Sequence, residues 1–286
     1  MTRKIRLGIS TCPNDTFAFQ ALINRLVDWR GLEFQIELLD IQELNERLFR
    51  GDFDVAKASF HAALRLANRM LVLPSGSALG FGVGPLLLAT SPNTRPLSIE
   101  QVALCPGELT TAALLFHLFY PHTARIEHVI FSEIMPRLRE NLADFGVCIH
   151  EGRFTWQAAG LSLVEDLGTR WESETHCPLP LGGILAAAEL GLDLLSTVQR
   201  VIHDSLQHSL ANRDGALPTM RKYAQEFDDQ ILMQHVDLYV NKWTVDLGDV
   251  GRQSLRELSH RAQSIGLVSP SMPALRVLAQ LPQLGF

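Results

Sequence analysis

Residues 7–23, LGISTCPNDTFAFQALI, pass from a strand to a helix through a short polar knot, Ser10-Thr11-Cys12-Pro13-Asn14-Asp15-Thr16. Ahead of the knot, Ile5, Leu7 and Ile9 fall on one face of a strand; behind it, FAFQALINRLV has helical spacing. The change repeats along the chain. LEFQIELLD reads as a strand, IQELNERLFRG as a helix closed by Gly51, FDVAKAS as a third strand and FHAALRLAN as a short helix. Such alternation predicts an α/β fold with a mostly parallel sheet covered by helices. Asn14 or Asp15 would cap a helix beginning near Thr16, and capping accounts for the knot. A ligand lying over the loop accounts for it as well.

The character changes in SGSALGFGVGPLLLATSP, where Gly76, Gly80, Gly82 and Gly84 precede an apolar strand and Pro92 and Pro96 follow. A crossover to a second unit is expected near residue 90. QVALCPG, LTTAALLFHLFY, ARIEHVIF, EIMPRLRENLADF and GVCIH then repeat the strand and helix alternation, and LSLVEDLG and LPLGGILAAAEL continue as extended segments. Beyond residue 190 three helical stretches are expected, at 194–213, 218–240 and 251–266. The expected division is a larger α/β domain of residues 1–90 plus 188–286 and a smaller one of residues 91–187. Two such units form a clamp, with the ligand cleft between them at the C-terminal ends of strands.

Composition narrows the function classes. Of 286 residues, 47% are hydrophobic and 20% charged, which is globular. The net charge of −6, with scattered Lys and Arg, gives no nucleic-acid footprint. The four cysteines, Cys12, Cys105, Cys148 and Cys177, form no CxxC and read as reduced thiols of a cytoplasmic protein. No apolar run suits a membrane span, and the start of the chain has no apolar leader segment. Histidine spacing suggests no metal, and no motif indicates a redox cofactor.

Four stretches fall at strand-to-helix junctions that would face the cleft. The knot is the first. In DVAKASF, Val55, Lys57 and Ser59 share a strand face; Lys57 reads equally as an edge-strand lysine or a ligand contact, and Ser59 as a cap for the next helix. In CPGELTTAALLF, Thr110 and Thr111 stand at a helix start, where free amides and hydroxyls suit a carboxylate or phosphate, although Glu108 already supplies negative charge and capping alone is the plainer account. In GVCIHEGRF, His150 closes a strand, where an imidazole could serve as a general base; a structural histidine is the commoner case. A Cys148/His150 nucleophile pair is weaker, since side chains two apart on a strand need not meet.

Taken together, S-x-CPNDTF at 10–17, KAS at 57–59, SGSALGFGVGPLL at 75–87, PGELTTA at 106–112, IHEGRFT at 149–155, LPLGGI at 179–184 and HVDLYVN at 235–241 resemble the 1,4-dihydroxy-6-naphthoate synthases of the futalosine route to menaquinone. The similarity runs from about residue 5 to about 270. It implies a fold like the type II periplasmic binding proteins, used by a cytoplasmic carbon-carbon lyase that converts cyclic dehypoxanthinyl futalosine to 1,4-dihydroxy-6-naphthoate. By the same resemblance His150 is the proton acceptor, and Lys57, Ala58 and Ser59 with Thr110 and Thr111 bind the substrate. Ser59, Thr110 and Thr111 are expected to hold its carboxylate, with Asn14 facing the ligand and Asp15 capping the helix. No cofactor, metal, nucleic acid or membrane partner is expected; the partner is a small carboxylate. The rivals are a chorismate dehydratase-like enzyme of the same fold and a non-catalytic small-molecule binding protein.

Overall fold

The alternation of strand and helix recurs, with changes at particular places, in a computed structural model that describes residues 3–149, 152–224 and 228–279. In chain order β1 (Arg3–Ser10) leads to α1 (Pro13–Ile23), β2 (Leu32–Leu39) to α2 (Ile41–Arg50) and β3 (Val55–Ser59) to α3 (Phe60–Arg65). Three strands follow: β4 (Met70–Val72), β5 (Ala78–Gly80) and β6 (Leu86–Ala89). Next, β7 (Val102–Cys105) leads to α4 (Thr111–Phe119), β8 (Arg125–His128) to α5 (Phe131–Arg139), β9 (Phe145–Cys148) to the single-turn α6 (Gly152–Thr155) and β10 (Ser162–Asp166) to α7 (Leu167–Thr175). After β11 (Leu179–Ala187) the chain is helical: α8 (Leu192–Ala211), α9 (Leu217–Tyr223), α10 (Asp229–Tyr239), α11 (Lys242–Val245) and α12 (Gly248–Ser264).

Two sheets result. In the first the order is β2-β1-β3-β11-β4, with β5 also on β11; in the second it is β10-β6-β9-β7-β8. β1 runs parallel to β2 and β3, but β11 is antiparallel to β3, β4 and β5. β6 is antiparallel to β9 and β10, whereas β7 is parallel to β8 and β9. Both sheets are therefore mixed rather than mostly parallel. The apolar strand of Leu86–Ala89 pairs inside the second sheet, so the chain has changed sheets before Leu86. β11 carries it back, pairing Gly182 with Ser59 and Ile184 with Lys57.

The apolar pattern places the core. Ile5, Leu7 and Ile9 are fully buried and pack with Phe17 and Phe19 of α1 and with Leu195, Val198 and Ile202 of α8. Ser205 ties α8 to α1, its Oγ accepting from Leu22 N at 3.0 Å and donating to Ala18 O at 2.8 Å. A second apolar cluster spans the two sheets, joining Ala56 and Leu79 to Leu87, Val147, Phe116 and Trp171. The expected helix over 218–240 is two helices. Ala224, after α9, is extended, and Asp228 caps α10 by accepting from Gln230 N and Ile231 N. Near the end of the described chain, Val277 bridges to Val72, extending the first sheet by one backbone contact.

Gly84 lies between β5 and β6, against the first turn of α7. A Cβ built there would stand 2.2 Å from Gly168 Cα, and one on Gly168 would stand 2.5 Å from Gly84 Cα. Two backbones touch, so neither position has a flexible neighbour that could yield. Gly84→Ala is expected to cost about 3 kcal/mol as overpacking, lowering the thermal midpoint by roughly 6–12 °C. Thermal unfolding followed by circular dichroism checks this; an unchanged midpoint would mean that the two segments separate freely.

Candidate active site

The strand ends converge on one cavity. Ser10 closes β1, Ser59 closes β3, Thr110 and Thr111 follow β7, and Ile149 follows β9; all line it. Gly84 and Pro85 approach from the antiparallel β6, while Leu181 and Gly182 of β11 lie beside Ser59. Gly182 must be small, because a Cβ there would stand 2.7 Å from Ala58 O. The cavity therefore lies where the two sheets meet, as expected for strand termini in open α/β sheets.

Lys57 lies on β3, which has β1 on one side and β11 on the other, so the edge-strand reading is wrong. The residue is 4% exposed. Its Nζ donates to Asp15 Oδ1 at 2.6 Å and to Gly76 O at 3.1 Å, leaving one ammonium proton for the cavity. Asp15 is no helix cap. α1 starts at Pro13, where a missing N–H costs nothing, and Cys12 occupies the cap position without a side-chain capping bond. The Asp15 carboxylate instead accepts from Lys57 and from Asn14 Nδ2, at 3.1 Å. Asn14 and Asp15 both line the cavity.

The hydroxyls divide into donors and acceptors. Ser59 makes no cap bond to α3; its Oγ accepts from Asn45 Nδ2 at 3.2 Å, and its N donates to Asn45 Oδ1 at 3.0 Å. Its own hydroxyl proton is left for the cavity. Thr110 caps α4, accepting from Ala113 N, and donates to Gly107 O at 2.9 Å. Thr111 donates to Leu181 O. Both threonine protons are thus committed, and toward a ligand these hydroxyls can only accept. A carboxylate held at this point would take its donors from the backbone amides of the first turn of α4. Beneath them His61 Nδ1 contacts Thr110 O at 3.3 Å, which a neutral ring makes by carrying its proton on Nδ1. Burial, reinforced by the Arg65 charge, pushes the His61 pKa down to about 4.

His150, the expected base, lies outside the described residues, as does Glu151. Its neighbours on either side, Ile149 and Arg153, both line the cavity. Cys148 does not suit a nucleophile, because burial pushes its thiol up to about 12. None of the four cysteines is disulfide-bonded. His235 and Tyr239 of α10 also line the cavity, their rings 4.5 Å apart between centroids. The sequence reading quoted their segment without singling them out, although helical spacing puts residues four apart on one face.

Comparison with known proteins follows the same residues. A family model described as menaquinone biosynthesis matches residues 5–264. A protein of Thermus thermophilus is 38% identical over 267 residues, covering 93% of this chain and 97% of that protein. One from Streptomyces coelicolor is 37% identical over 269 residues, covering 92% and 94%. Each bears the name 1,4-dihydroxy-6-naphtoate synthase. Among solved structures, a protein from Archaeoglobus fulgidus superposes with a TM-score of 0.86 at 29% identity, covering 93% of this chain and 98% of that one. The periplasmic aliphatic sulphonate binding protein of Escherichia coli superposes with a TM-score of 0.64 at 10% identity, covering 100% and 96%. The fold is that of the periplasmic binding proteins. No helix among the described residues is long and apolar enough to cross a membrane.

Two predictions follow from the polar floor of the cavity. Lys57→Met strands a buried carboxylate and is expected to cost about 3–5 kcal/mol. The double variant Lys57→Met with Asp15→Leu recovers part of that in urea unfolding; equal losses from single and double variants would show that the pair is not coupled. His61 binds its proton in the unfolded chain at its ordinary value near 6.5 and in the folded protein only near 4. The unfolded state thus takes up the proton first, and stability present above pH 6.5 is lost as pH falls toward 4, on the order of 3 kcal/mol. His61→Asn should lose less stability than the parent between pH 7 and pH 4.5. An identical loss in both would place the acid sensitivity elsewhere.

Proposed function

The chain belongs to the menaquinone biosynthesis family, and from that premise we propose that it is a carbon-carbon lyase of the cytoplasm that converts cyclic dehypoxanthinyl futalosine to 1,4-dihydroxy-6-naphthoate. The observation that carries the reading is the near full-length similarity to two synthases of that name, together with a cavity lined by residues of the motifs that bear the resemblance.

In this reading His150 is the general base. It sits in the chain between Ile149 and Arg153, two residues that line the cavity. A neutral imidazole there takes a proton from the ring portion of the substrate, and the electron pair left behind starts cleavage, driven by aromatisation of the naphthoate product. Base catalysis of this kind contributes about 10²- to 10⁴-fold, and orientation and exclusion of water supply the rest. The strand Lys57-Ala58-Ser59 binds the substrate from below, with protons from Lys57 and Ser59 available as donors. Thr110 and Thr111 accept hydrogen bonds from substrate hydroxyls, and Asn14 closes the wall while supporting Asp15. The two units expected from the sequence, 1–90 with 188–286 and 91–187, would then be the jaws of the clamp.

Incubating the purified protein with cyclic dehypoxanthinyl futalosine and separating the products by chromatography tests the proposal. A naphthoate is expected from the parent, and His150→Ala should retain substrate binding while turnover falls by about 10²-fold or more. Product from both at similar rates would remove His150 as the base. Binding without product from the parent would favour a non-catalytic binding protein, and product from chorismate instead would favour the dehydratase.

A further inference from the structure

We propose that Arg153 is the carboxylate anchor of the cavity, and that it selects aromatic acids over their uncharged analogues. The inference rests on the functional reading above for the identity of the substrate, but not for the presence of an anion site.

Arg153 stands on the single turn of α6 and lines the cavity. Its side chain is 13% exposed. One amino group is spent within the protein: Nη2 donates to Gly82 O at 3.0 Å and to Asp166 Oδ2 at 3.3 Å. The other, Nη1, is buried and has no hydrogen-bond partner among the described residues. A buried guanidinium edge without an acceptor is costly, because the group has left water and gained nothing in exchange. Arg153 lines the cavity, so a ligand seated there is the source from which that edge can gain an acceptor. A carboxylate is the acceptor whose geometry and charge the edge fits.

The surrounding groups leave this role to Arg153. The hydroxyl protons of Thr110 and Thr111 are held by carbonyls, so neither hydroxyl donates to an anion while those bonds stand, and the backbone amides there carry no full charge. The charge of Lys57 is already balanced by Asp15 at 2.6 Å. Ser59 offers one proton. Asp166 also faces Arg153, but its Oδ1 caps α7, accepting from Gly168 N at 2.9 Å and Thr169 N at 3.1 Å, which spreads its charge. Glu172 lies within reach of the Arg153 field and accepts from Gly82 N at 2.7 Å. Both carboxylates thus have partners of their own beside Nη2, while Nη1 has none among the described residues.

Isothermal titration of the full chain with 2-naphthoate and with the uncharged 2-naphthamide tests the assignment. The parent is expected to bind the carboxylate about tenfold or more tightly than the amide, the size of one charge-assisted hydrogen bond. In Arg153→Gln that ratio should fall to about one, with naphthamide affinity little changed; Arg153→Lys, which keeps the charge but not the planar fork, should fall between and is read alone if Arg153→Gln does not fold. An unchanged ratio in the variants overturns the assignment, and so does a parent with no preference. Equal weakening of both ligands also overturns it, marking Arg153 as a brace for the Gly82 loop. Loss of preference in Arg153→Gln beside a parent that does not turn over cyclic dehypoxanthinyl futalosine would keep the anchor and remove the reaction.

Discussion

Two buried groups of opposite charge, Lys57 on the central strand of the first sheet and Asp15 in the first turn of α1, meet out of reach of water. Their separation of 2.6 Å ties the start of a helix to the middle of a sheet, and the supporting bonds from Asn14 and to Gly76 O leave little freedom to either partner. Attraction at this distance offsets the large cost of leaving water only while that geometry holds. The position of the polar knot over the strand ends follows. So does the depth of the cavity, since the pair forms part of its floor.

On that floor the polar groups have complementary duties. Ser59, held by Asn45, has a proton to give, while Thr110 and Thr111 have given theirs to Gly107 and Leu181 and can only receive. His61 is held neutral by its burial, supports the carbonyl of Thr110 and adds no charge. Arg153, also in the lining, has one guanidinium edge without a partner among the described residues. A ligand that suits this arrangement carries both hydrogen-bond donors and acceptors. Such a distribution belongs to a site that orients a molecule in one direction.

Much of this was legible in the residues. Periodicity located β1, β2, β3 and the helices between them, and the helix closed by Gly51 ends there in the left-handed conformation that glycine favours. The cavity-lining stretches CPND, KAS and TTA stood out because polar residues interrupted apolar patterns at strand ends. Strand direction did not show. An antiparallel β11 and a parallel one bury the same alternating residues, and β6 carries no mark of the sheet it joins. Partnership was equally hidden: Asp15 has the composition of a cap, and only its 42-residue reach to Lys57 reveals a counter-ion. Arg153 carries no mark in the sequence, because what sets it apart is the lack of an acceptor for Nη1 among the described residues, and no pattern of residues records that.

The return of β11 to the first sheet carries a consequence for biosynthesis. β3 ends at Ser59, yet its second neighbour ends at Ala187, so 128 residues must be made before that edge is covered. At about 5–20 residues per second the nascent chain waits for roughly 6–26 s. During that interval β3 offers an unpaired backbone edge, the kind of surface on which chains aggregate. When β11 arrives the edge is covered, and the lysine at the centre of β3 ends 4% exposed, lining the cavity.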